Sequence, residues 1–66
     1  MQILFNDEPL QCADGLTLSA LLDQQHLLKP GVALALNQQI LPREQWERQQ
    51  VRDGDQILLF QVIAGG

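Results

Sequence analysis

The sequence predicts an α+β domain in which a mixed sheet of four to five strands packs on one short helix. Short strand-like runs stand at 2–5, 32–36 and 56–62, and turn-forming residues separate them at 6–9, 30–31 and 53–55. Only one segment carries an apolar stripe at helical spacing, through Leu18, Leu21 and Leu22.

Gln2, Ile3, Leu4 and Phe5 form the first strand, closed by Asn6, Asp7, Glu8 and Pro9. A second strand over 10–13 completes a hairpin. Leu10 and Cys12 share one parity there and Gln11 is the wet side, which makes Cys12 a small core residue rather than a nucleophile. After Asp14 and Gly15, the Thr17 hydroxyl is placed to cap a helix over 18–26, whose three leucines face the sheet while Ser19, Asp23 and Gln24 face water. Pro30 and Gly31 prevent that helix from continuing.

Val32 to Leu36 is an unbroken apolar run, as expected of a central strand. Asn37 and Gln38 turn the chain into a short strand over 39–41, and Pro42 disfavours further pairing. Between 43 and 52, Trp46 and Val51 are the apolar anchors, with a single helical turn near Glu44. Asp53-Gly54-Asp55 is a turn, and 56–62 is the most strand-like stretch of the chain. Both of its faces are apolar: Ile57 and Leu59 on one, Leu58, Phe60 and Val62 on the other. One helix covers one side of a sheet. Either Trp46 folds over Leu58 and Phe60, or the second side carries an exposed apolar patch of the kind found at protein contacts.

Sixty-six residues, 45% of them hydrophobic, suffice for one small domain over 1–62 with a flexible tail over 63–66, and exclude a two-domain enzyme. Eight acidic residues against four Lys or Arg give a net charge of −4, which disfavours nucleic acid and anionic membranes as targets and favours a basic protein surface. A single cysteine permits no internal disulfide and no cysteine-cluster zinc site, and fits a reducing cytosol. The start MQILFNDE lacks a basic region before a long apolar run, and no stretch has the length of a membrane span, so the chain is read as mature and cytoplasmic.

The last residues are Ile63, Ala64, Gly65 and Gly66. Two glycines have nothing to pack and a high ordering cost, so folding alone gives no reason for them. A glycine pair has nearly the cross-section of bare backbone, and a narrow catalytic channel on another protein can accept it with the Gly66 carboxylate leading. A carboxylate must be activated before acyl chemistry, most simply by adenylation from ATP. Because the chain has no Gly-rich phosphate loop and Lys29 is its only lysine, that ATP chemistry belongs to a partner. Attack on the acyl adenylate by sulfur leaves a thiocarboxylate; attack by an amine leaves an amide.

The Asn6-Asp7-Glu8 turn, Gly15-Leu16-Thr17-Leu18 before paired leucines, Leu36-Asn37, Pro42-Arg43, Asp53-Gly54-Asp55 and the closing Ala64-Gly65-Gly66 together resemble the ThiS family of bacterial thiamine-biosynthesis sulfur carriers. The resemblance covers nearly the whole chain and is most specific at the diglycine end. It implies a ubiquitin-like β-grasp fold and a carrier that is a co-substrate of partner enzymes rather than an enzyme. In such a carrier, Gly66 is the reacting group. An E1-like adenylyltransferase activates it with ATP, a sulfur-donor system converts it to a thiocarboxylate, and thiazole synthase consumes the sulfur. No stably bound cofactor is implied. The family contacts its partners through tail and sheet face, which map here onto Ile63, Ala64 and Gly65 with Leu58, Phe60 and Val62 behind them.

Other residue patterns point nowhere sharper. His26 has no second histidine or nearby cysteine and is read as structural or solvent-facing. Asp53 and Asp55 lack the rest of a calcium loop, and Asp7 with Glu8 lacks an apolar pocket, so no metal site and no acid–base pair is assigned. Three alternatives use the same chain differently: the sulfur-carrying small subunit of molybdopterin synthase, a ubiquitin-like protein modifier, and a binding module with an inert tail.

Overall fold

A computed structural model describes residues 1–61; the expectations for Val62 and for the tail lie outside the described residues. Strands β1 (Gln2–Phe5) and β2 (Glu8–Gln11) form a hairpin, followed by helix α1 (Leu18–Gln24). A second hairpin joins β3 (Val32–Leu36) to β4 (Gln39–Ile40), and a 3₁₀ turn at Arg43–Gln45 leads on to β5 (Gln56–Gln61). The sheet order is β2-β1-β5-β3-β4. β5, last in the chain, lies between the two hairpins, parallel to β1 and antiparallel to β3. This is the mixed five-stranded sheet with one helix of a β-grasp.

β2 starts at Glu8, two residues earlier than the sequence suggests, because the hairpin needs only Asn6 and Asp7 as its loop. Both have positive φ, 51° and 66°, as a tight two-residue turn between twisted strands requires. Pro9 therefore sits inside β2, opposite Leu4. A proline is tolerated there because β2 is an edge strand and its missing donor costs no ladder bond. The second hairpin repeats the device with Asn37 and Gln38, at φ 50° and 71°. Its β4 is one residue shorter than expected, although the Leu41 amide still donates to Leu34 O at 2.9 Å.

The helix ends at Gln24 rather than at position 26. The Leu27 amide bonds back to Leu22 O at 2.8 Å and the His26 amide to Asp23 O at 3.1 Å, with His26 at φ 59°. These paired bonds are a Schellman cap in which histidine holds the place usually given to glycine. At the other end Thr17 Oγ1 accepts the Ala20 amide at 3.2 Å. The Leu18 and Ser19 amides donate to Gln49 O and Trp46 O at 2.9 and 3.1 Å, so the 42–52 segment satisfies donors that a helix start otherwise leaves free.

Leu18, Leu21 and Leu22 are buried against Ile3, Leu34 and Ile57 from the sheet, and Trp46 and Val51 close the cluster. Leu10 and Cys12 pack against it, half-buried, as their shared parity predicts. Trp46 is 1% exposed and its Nε1 donates to Leu41 O at 3.0 Å, which satisfies the one polar atom that indole burial would strand. The Arg43 guanidinium lies 5.0 Å from the indole centroid and donates to Lys29 O at 2.8 Å, tying the 3₁₀ turn to the loop after α1.

Candidate functional site: the open sheet face and the end of the last strand

Residues opposite one another in a ladder share a face, so the register fixes what the uncovered side displays. Ile3, Phe5, Leu34, Leu36, Ile57 and Leu59 have the parity of the helix side. The other side presents Leu4 and Pro9 from β1 and β2, Gln56, Leu58 and Phe60 from β5, Ala33 and Ala35 from β3, and Ile40 from β4. At the outer margin Gln11 Nε2 donates to Gln2 Oε1 at 3.1 Å. None of these strand positions carries a charge.

Phe60 is 44% exposed, Leu4 39% and Ile40 65%. Trp46 belongs to the opposite side, so of the two arrangements open to the sequence the structure adopts the uncovered patch. Sequence reasoning placed Leu58 and Phe60 on it and missed Leu4 and Ile40, whose side follows only from their pairing with β5 and β3. A charge-free face that exposes Leu4, Ile40 and Phe60, on a chain with net charge −4, has the composition of an interface centre, from which charged residues are depleted.

β5 carries this face toward the C-terminus and is pinned by an asparagine on each flank. Asn37 donates its amide to Gln56 O at 2.8 Å and accepts the Gln56 amide on Oδ1 at 3.0 Å, while its Nδ2 donates to Asp55 Oδ1 at 3.2 Å. Asn6 donates its amide to Ile57 O at 2.9 Å and accepts the Leu59 amide on Oδ1, also at 2.9 Å. The turn before β5 is held likewise: Asp55 Oδ2 accepts the Arg52 amide and Asp53 Oδ1 the Gln2 amide, both at 2.8 Å. Asp53 and Asp55 are thus occupied in backbone bonds. Gly66 and residues 62–65 follow Gln61 directly in sequence and lie outside the described residues.

Among the described residues no group of three or more His, Cys, Asp or Glu gathers to hold a metal. His26 serves as the helix cap, and Cys12 is half-buried beside the core. No helix of the described residues is long and apolar enough to cross a membrane.

Residues 3–66 match the model of the ThiS family. The chain is 65% identical over 66 residues to the sulfur carrier protein ThiS of Escherichia coli (strain K12), covering the whole of both. It is 26% identical to the uncharacterized protein ycf40 of Porphyra purpurea, over all of this chain and 93% of that one. Among solved structures, the thiamine biosynthesis protein ThiS of Geobacter metallireducens superposes with a TM-score of 0.89 at 28% identity, each chain fully covered, and so carries the same ubiquitin-like β-grasp fold. By family match and by full-length identity, this chain belongs to the ThiS family.

Proposed function

We propose that this chain is a protein-borne sulfur carrier for thiazole formation in thiamine biosynthesis, with the Gly66 carboxylate as its reacting group. The observation that carries the reading is the full-length 65% identity to a sulfur carrier, on a chain that itself closes in Gly65-Gly66.

The chemistry sets the order of steps. A carboxylate oxygen attacks the α-phosphorus of ATP and pyrophosphate leaves, giving an acyl adenylate. Sulfide sulfur from a donor system then attacks the acyl carbon and AMP leaves, giving the thiocarboxylate; where the donor is a persulfide, the acyl disulfide first formed is cleaved by a second thiol, which ends in a disulfide with the donor as the thiocarboxylate is released. Both steps belong to an E1-like adenylyltransferase and its sulfur donor, and thiazole synthase takes the sulfur in the cytoplasm. The chain contributes presentation rather than catalysis and holds no cofactor of its own.

Ile63, Ala64 and Gly65 form the lead to the reacting group. Leu58, Phe60 and Val62, extended by Leu4 and Ile40, form the docking surface. Binding energy gathered on that face is available to hold the carboxylate in the partner's active site, converting an encounter into an effectively intramolecular reaction. The test is ATP–pyrophosphate exchange by the purified adenylyltransferase. Exchange is expected with the intact chain and not with a chain lacking Gly66; equal exchange with both would reject Gly66 as the acceptor.

A further inference from the structure

β1 ends at Phe5, whose register partner is Ile57, yet β5 runs on to Gln61. On its β3 side, β5 stays paired to the end, Gln61 opposite Val32. On its β1 side, the bond from the Asn6 amide to Ile57 O comes from main chain, and the next β5 donor, the Leu59 amide, is accepted by the Asn6 side chain instead. In a parallel ladder one residue donates to the carbonyl before its partner and accepts from the amide after it. Asn6 completes that pattern around Leu58 with Oδ1 in place of a main-chain oxygen, and so extends the ladder one step past the end of β1.

We infer that Asn6 is a positioning residue for the reaction at Gly66: its carboxamide fixes the strand end from which the chain continues to the reacting carboxylate. The inference deepens the sulfur-carrier reading and rests on it. Leu59 immediately precedes Phe60, the exposed ring of the docking face, and Gly66 lies seven residues beyond Leu59. One hydrogen bond therefore fixes Leu59 beside the exposed Phe60, two residues before the end of β5 at Gln61. Where β5 is held from one side only, its end can pivot about the β3 ladder, and a misplacement of about 1 Å at a reacting atom can cost on the order of a hundredfold in rate. Asparagine suits both demands of the position, since it tolerates the left-handed backbone of the turn and carries a short acceptor.

Two substitutions separate these demands. Asn6→Gly keeps the positive φ and removes the acceptor; Asn6→Asp keeps both. The expected result for Asn6→Gly is a nearly unchanged melting temperature and unchanged protection of the Ile57 amide. Hydrogen exchange at the Leu59 amide should be several-fold faster, and kcat for adenylation should fall about tenfold at near-constant KM. Asn6→Asp should restore both quantities. An Asn6→Gly chain adenylated with the wild-type kcat, or a failure of Asn6→Asp to restore it, overturns the inference. A wild-type chain that is not adenylated at all rejects the sulfur-carrier reading, and with it the role at Gly66; the Leu59 exchange rates still show whether Asn6 holds the strand end.

Discussion

Trp46 and Phe60 stand on opposite sides of the sheet. The indole is 1% exposed in the cluster with Leu34 and Ile57, whereas the Phe60 ring, opposite Ala33 in the ladder, is 44% exposed. Two aromatic residues that sequence alone leaves free to stack on each other have separate tasks: one closes the core and the other is open to a partner.

Trp46→Ala is expected to destabilise the domain by about 3–5 kcal/mol, from the cavity left among the leucines and the lost bond to Leu41 O. For a chain this small that approaches the whole stability, so the variant should be largely unfolded at 37 °C. Circular dichroism during a urea titration checks it. A cost below about 1 kcal/mol would contradict the burial assigned to the indole.

Phe60→Ala should leave stability within about 1 kcal/mol while weakening binding to the adenylyltransferase about tenfold or more, with Leu4→Ala and Ile40→Ala acting in the same direction. Melting curves and titration calorimetry on the same preparations separate the two effects. Loss of stability with unchanged binding would place Phe60 in the core instead.

His26→Gly should stabilise the fold by about 0.5–1 kcal/mol, since glycine adopts the left-handed cap without steric cost. Gln38→Gly should do the same at the second hairpin, where it creates the Asn-Gly pair that such turns favour. The urea midpoint should rise in each variant. A fall in either would mean that the replaced side chain makes a contact worth more than the strain relieved.

The −4 charge predicts that association with a basic partner face slows as salt rises, because screening shortens the reach of the field to about 8 Å at physiological ionic strength. Asp7, Glu8, Asp14, Asp23, Glu44 and Glu47 are the carboxylates to neutralise. Stopped-flow association rates equal at low and high salt would exclude steering.

Much of this was legible before the structure because the informative signals are local. The Leu18, Leu21 and Leu22 stripe, the Thr17 cap, the Asn37 turn and the two apolar faces of β5 each follow from spacing within one segment. The start of β2 was not, since Asn6-Asp7 lacks the glycine that marks a two-residue hairpin loop and Pro9 reads as a strand breaker anywhere but at an edge. Leu4 and Ile40 joined the uncovered face only through register, a relation between segments distant in the chain. The Asn6 bond to Leu59 spans 53 positions and leaves no trace in local pattern.

The most direct measurement is fragment-resolved mass spectrometry of the intact protein isolated from cells synthesising thiamine and from cells in which that synthesis is blocked upstream of sulfur transfer. In the first, a fraction of the chain should be heavier by the difference between one sulfur and one oxygen, with the added mass confined to Gly66. Unmodified Gly66 in both populations, or a large adduct joined through an amide, would contradict the role of this chain as a sulfur carrier.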